Sequence, residues 1–230
     1  ITNTSPSLGG DVVGPSSATD NAIARFDTTT GKLIQNSVVT VSDTGDIAGA
    51  TTITDINYVD FNTAYSTTLG VGQLGWDGNN TLGLGMTGGN IVQQIGLQMY
   101  VYGKASAAIT KGQLIKKTGV NGTSGVITFG PTTANMTNGT DIIGIAAESI
   151  SLNGFGYIIS SGNLRGFSTT GSSSGETWAD GDILYYNKNY TGGLTNVKPT
   201  APDAIVIVAA VVNAGSGASG SLLVRPTVEY

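Results

Sequence analysis

At 230 residues the chain is long enough for one or two domains, and a compact fold of that length buries about 70–75% of its unfolded surface, so size does not exclude folding alone. Charged residues make up only 11% of the chain and 35 residues are glycine, about twice the usual share; with abundant Thr, Ser and Asn, this excludes an ordinary helical protein and describes short strands and tight turns. A net charge of −5 without long runs argues against nucleic-acid binding, which needs a clustered basic surface, and the absence of histidine and cysteine removes imidazole and thiolate chemistry together with any disulfide framework.

Ile1 is no initiator methionine, so the numbering is expected to start inside a longer product or after trimming. Residues 1–15 lack the basic start and apolar core of a signal peptide. Residues 1–16, with Pro6, Gly9, Gly10, Gly14 and Pro15, read as a polar linker or attachment segment.

Residues 17–54 repeat one idea twice. A short β-type run at 22–26 meets the turn residues Asp27 to Gly31 and is followed by Leu33 and Ile34; a second run at 38–41 meets Asp43, Thr44 and Gly45, with Ile47 beyond. Strands this short bury little apolar area, and an isolated hairpin of them is marginal in water. Identical copies wound side by side are the simplest cover, which points to an intertwined fibre segment.

From 55 to about 95 further hairpins are expected, with turns at 77–80 and 87–90. Leu82, Leu84 and Met86 alternate with Gly83 and Gly85, so one strand face is apolar and the other nearly bare backbone. A bare face admits a second backbone closely, and in a three-chain fibre it would face the axis.

Residues 96–230 read as a larger β domain with candidate strands at 97–102, 113–117, 126–129, 142–147, 156–159, 183–186, 205–212 and 221–225. The longest loop is 168–179, ending on Trp178. The apolar run 204–212 is too short to cross a bilayer as a helix, which takes about 20 residues, and its β-branched content reads as a strand buried on both faces. Eight strands with Gly- and Pro-marked turns fit a sandwich or barrel. Lys111, Lys116 and Lys117 read as a solvated strand edge, where lysines discourage stray pairing.

With histidine and cysteine absent, carboxylates are what remains for chemistry. A glycosidase needs two of them about 5–10 Å apart. Asp141, Glu148, Asp180 and Asp182 are available, but they sit beside turns, where Asp next to Gly is ordinary turn chemistry. Residues 83–88 satisfy G-x-G-x-x-G, yet 90–95 continue in β-type residues where a dinucleotide site requires a helix, so the match is taken as chance. Asp77-Gly78-Asn79-Asn80 lacks the ligand spacing of an EF-hand loop and reads as a hairpin turn. The Asn-Xaa-Thr triplets at Asn79, Asn121, Asn135, Asn138 and Asn189 are what such a composition produces by chance. No cofactor or metal is expected. The one candidate binding surface is Trp178, Tyr186, Asn187 and Tyr190: aromatic faces cover sugar C–H groups while amides bond hydroxyls. The competing reading is a strand with one tyrosine inward and one outward, followed by a polar turn.

The run ATDNAIARFDTTTGKLIQNSVVTVSDTGDIAG, residues 18–49, resembles a connector that recurs in tail-fibre and other virion structural proteins of tailed bacteriophages. The short phrases at 95–96, 112–114, 144–146, 154–156, 178–182 and 193–196, through Pro199 and Pro202, resemble the same group. The resemblance implies a phage particle component, trimeric and without a reaction. The expectation is therefore an all-β homotrimer made in the host cytoplasm. It would have a linker or attachment segment at 1–16, a fibre-like hairpin connector at 17–95 and a compact sandwich or barrel at 96–230. Its function would be a non-enzymatic tail fibre or tail-tip protein that positions or makes host contact, through surface glycan among other things, and meets other virion proteins through its N-terminal segment. The alternatives are a head fibre or capsid-decoration protein, and a spike that cleaves host polysaccharide.

Overall fold

A computed structural model describes residues 17–26, 29, 33–64, 68–76, 81–172 and 175–229. The described residues are all β, with no helix. The linker at 1–16, most of the first turn (27, 28, 30 and 31) and the turn at 77–80 lie outside them. The chain divides into two compact units, Ile1–Asp60 and Phe61–Tyr230.

The N-terminal unit is a three-stranded antiparallel sheet of β1 (Ala22–Phe26), β2 (Ile34–Val41) and β3 (Ile47–Ala48). Phe26 faces Ile34 and Ala22 faces Thr40 across the first pair, with a bulge between Ala22 and Ala24. The second turn forms where the Asp-Thr-Gly signal stands. Gly45 takes φ +90°, its N–H donates to the Ser42 carbonyl at 2.8 Å, and the Asp46 carboxylate accepts from the Thr44 hydroxyl at 2.7 Å. The strands pair and the second turn is hydrogen-bonded, but among the described residues no side chain is buried. Every described residue of 17–60 is exposed or half-exposed, including Val38 at 85% and Tyr58 at 82%.

The C-terminal unit holds two sheets. The smaller is antiparallel: β4 (Leu74–Trp76), β5 (Leu82–Gly85) and β6 (Val92–Gln94). The larger contains β7 (Gln98–Ala105), β8 (Leu114–Asn121), β9 (Val126–Pro131), β10 (Ile142–Ala146) and β11 (Phe155–Phe167), followed by β12 (Ile183–Tyr186), β13 (Leu194–Thr195), β14 (Ile205–Asn213) and β15 (Gly220–Glu229). Strands β10, β8, β9, β7 and β11 pair in that order, and β10 pairs back onto β11, closing a five-stranded barrel. All its pairs are antiparallel except β7 with β9. Beyond the barrel, β11 runs on into an open extension, β11-β15-β14-β12-β13.

The period-2 pattern of these strands makes two cores share one wall. Ile115, Ala146 and Ile158 join Ala105 and Phe129 inside the barrel. Their neighbours Leu114, Ile145 and Ile159 point the other way, into a second core with Leu184, Val206, Val208, Leu222 and Val224 from the extension. Full burial of each such side chain contributes about 1.5–3 kcal/mol, so β8, β10 and β11 are each held from both sides.

Four sequence expectations meet a different arrangement. The contact boundary lies at Asp60/Phe61 rather than 95/96, because Ile91 and Met86 of the smaller sheet pack against the second core and Asn90 donates to the Glu148 carboxylate at 2.9 Å. The bare glycine face is real, but the backbone that approaches Gly85 belongs to Gly70 of the same chain, and Gly85 donates to the Gln73 carbonyl at 2.9 Å. Strand β14 is fully buried on one face only: Val206, Val208 and Val211 face the core, while Ile207 and Ala210 on the other face are half-buried and Val212 is exposed. The 168–179 segment is partly structured, with a bridge between Gly171 and Thr177 and a buried Thr169.

Candidate functional site

A cleft of about 190 Å³ opens where the turn before β8, the end of β11 and the turn after β12 meet. The first wall is Lys111, Gly112 and Gln113. Gly112 takes φ +88°, and a side chain there would strike the ring of Phe167, which approaches the glycine closely. The Gln113 amide oxygen accepts the Thr110 N–H at 2.9 Å, fixing the turn. The opposite wall is the turn from Asn187 to Gly193. The Asn187 side-chain oxygen accepts the Asn189 N–H at 3.0 Å, the local bond that favours Asn in turns. Gly192 then docks the turn onto the barrel, accepting the Leu114 N–H at 2.9 Å and donating to the Thr132 carbonyl at 2.8 Å. This leaves Tyr190 at the rim, 39% exposed.

The four proposed glycan-binding residues divide here. Trp178, Asn187 and Tyr190 do line one cleft. Tyr186 does not, being the inward member of its strand. It is 1% exposed, its hydroxyl donates to the Thr133 carbonyl at 2.6 Å and accepts the Met136 N–H at 3.0 Å, and burial pushes its ionisation up. Trp178 and Asn187 are themselves buried, at 7% and 5%, so they form the floor and leave Tyr190 as the ring offered to solvent. Sequence reasoning missed Lys111, Gln113 and Phe167. Lys111 read as an ordinary edge lysine, and Phe167 lies eight residues beyond the expected end of its strand, so no local signal joined them to Tyr190. Burial lowers the Lys111 ammonium's affinity for its proton, partly offset by the field of Glu148.

Four of the carboxylates, Glu148, Glu176, Asp180 and Asp182, are hydrogen-bonded into the structure, while Asp141 is exposed. Asp180 accepts the Ala214 N–H at 2.6 Å, and Asp182 accepts the Ala179 N–H at 3.0 Å and the Asn196 amide at 2.8 Å. Those bonds hold Asp182 below the usual carboxylate range. Glu148 accepts the Tyr157 N–H at 3.1 Å as well as Asn90. Glu176 is the most heavily bonded. Burial pushes it up, but the Thr195 hydroxyl at 2.6 Å, the Ser172 hydroxyl at 3.1 Å and the Asn196 N–H at 3.3 Å outweigh burial and hold it down. The buried indole N–H of Trp178, which lacks a well-formed hydrogen bond, adds to the same field. None of the described residues lining the cleft is a carboxylate, and no three Asp or Glu side chains among the described residues converge on a metal position. The motif at 83–88 spans β5 and a turn with Gly88 at φ +94° that leads into β6. Lys116 reaches the Thr133 hydroxyl at 3.1 Å across its strand edge.

The cleft is smaller than the ~300–1,000 Å³ of sites that enclose a drug-sized ligand. What it can do is present an aromatic ring beside amide and ammonium groups to one edge of a ligand. No protein-family model matches the chain, and no curated protein matches its sequence.

Proposed function

We propose that this chain is a non-enzymatic structural component of a tailed-phage virion, a homotrimeric tail fibre or tail-tip protein that positions or makes host contact. The observation that carries the reading is the N-terminal unit. Its described residues include no buried side chain, yet Ile23, Phe26, Val38, Ile47, Ile53 and Tyr58 all lie open to water. A paired sheet with no buried side chain among its described residues holds its shape only when something covers it, and copies of the same chain offer matching apolar strands. The same stretch, residues 18–49, carries the resemblance to the phage connector, so the sequence pattern and the missing core point the same way. The bonds tying Asp180 and Asp182 into turns favour a structural role for them over an acid–base pair.

Light scattering behind a sizing column tests this directly. A stable assembly of three chains is expected, and a monomer at every concentration overturns the reading. Gold-labelled antibody on particles then separates tail from head, since a label on the capsid would make the chain a head fibre or decoration protein. Host contact through the cleft makes its own demand: Tyr190→Ala should lose binding to host surface glycan while keeping the assembled mass.

A further inference from the structure

We propose that the cleft before β8 selects an anionic sugar, one carrying a carboxylate or a phosphate, and that Lys111 is the residue that reads the charge. The proposal rests on the reading of this cleft as a host-glycan contact and adds which chemical class of glycan it takes.

Among the described residues lining the cleft, Lys111 is the one charged side chain. It is half-buried, and that burial weakens its hold on its proton. Among the described residues its backbone N–H donates to the Ser149 hydroxyl at 3.1 Å, but no carboxylate pairs with its ammonium. Glu148 acts on it through space, yet the two Glu148 oxygens accept the Tyr157 N–H at 3.1 Å and the Asn90 amide at 2.9 Å. A half-buried cation without a counter-ion carries a desolvation cost that an anionic ligand offsets.

The backbone makes room for this ammonium at the cleft. Gly166 precedes the lining residues Phe167 and Ser168, and a Cβ on it would stand 3.1 Å from the Lys111 Nζ, crowding it. Gln113 has its amide oxygen engaged by the Thr110 N–H at 2.9 Å, so its side chain offers a ligand N–H donors. The opposite wall contributes the Tyr190 ring, 39% exposed, which suits the C–H face of a sugar. A cation, donors and a ring with no acid among them complement an acidic sugar better than a neutral one. The whole chain carries −5, so a general attraction to polyanions does not supply this preference; it is local to Lys111. The volume of about 190 Å³ suits one residue of a longer glycan.

The test applies the full chain to an array of purified bacterial polysaccharides, each acidic polymer printed beside a neutral form of itself made by reducing its carboxylates or removing its phosphates. Lys111→Met removes the charge and keeps an apolar stem, and Lys117→Met removes the same charge from an exposed position on β8 as the control. The expected result is binding to acidic polymers that disappears in their neutral forms, weakens about tenfold in Lys111→Met, as for one charge-assisted hydrogen bond, and is unchanged in Lys117→Met. Loss on reduction identifies a carboxylate and loss on dephosphorylation a phosphate. Equal binding to acidic and neutral forms, lost in Tyr190→Ala alone, overturns the charge selection and leaves the glycan contact standing. Acidic binding that survives both Lys111→Met and Tyr190→Ala lies elsewhere on the molecule and also overturns it. Binding to no polymer overturns the selection and the glycan contact together. The comparison of acidic with neutral forms is made on the native chain, so it decides the question even where a variant folds poorly.

Discussion

The two units use the same local grammar and reach opposite energetic ends. In both, short β runs stop at Gly- or Asn-marked turns, and in both the ladder bonds are made. In the C-terminal unit the alternating residues of β8, β10 and β11 enter two cores, whereas in the N-terminal unit the same alternation places Val38 and Phe26 in water. Hydrogen bonds contribute only about 1 kcal/mol each net of water, so ladders specify pairing without supplying enough stability to hold a sheet alone. Completing the backbone's bonds and completing a fold are separate requirements.

The comparison breaks most easily in the barrel. Phe129→Ala empties a fully buried site and should cost the C-terminal unit about 3–5 kcal/mol in denaturant unfolding, while Val38→Ala, which touches no core, should leave that transition unmoved. An equal loss from both would abolish the distinction between the units. Gly85→Ala forces a methyl group onto the Gly70 backbone and should cost about 1–3 kcal/mol, read as a lower melting midpoint. If it instead blocked assembly and spared the midpoint, the glycine face would belong to a contact between chains. Tyr186→Phe strands the Met136 N–H and the Thr133 carbonyl and should cost about 1–2 kcal/mol, with glycan binding unchanged if Tyr186 is framework.

The smallest effect is on pH. Glu176 titrates below its ordinary value of 4.5 when folded, so its contribution is present above that value and fades as pH falls through the depressed one. Urea midpoints measured downward from pH 5 should therefore drop for the native protein and drop less for Glu176→Gln. Identical slopes would show that Glu176 does not hold its loop in place.

Much of the C-terminal unit was legible because its strands alternate or run apolar between turn residues. All eight candidate strands of 96–230 exist, and a two-residue β13 was too short to announce itself. By local pattern strand β11 ends near Ile159, because SSGNLRGF is polar and rich in glycine; it continues to Phe167 because β7 and β15 pair with it on both sides, a tertiary effect that local preference cannot show. The boundary at Asp60 was hidden for the same reason, since the long-range contacts of Met86, Asn90 and Ile91 are what assign the smaller sheet. Of the site, Tyr190 lies at the rim, Trp178 lines the floor and Tyr186 points inward, an assignment hidden from the sequence because an aromatic ring beside polar turn residues gives no local sign of which way it faces.

Strand β11 also sets how the C-terminal unit comes apart. Thirteen residues long, it is one stave of the barrel at its first half and the inner strand of the extension at its second. Neither half can lose β11 without exposing the other's core, so the two behave as one cooperative unit on the timescale of hydrogen exchange. Amides on β7, β14 and β15 should share a single opening free energy. Urea should then melt barrel and extension in one step, with no half-folded species for proteases to trim.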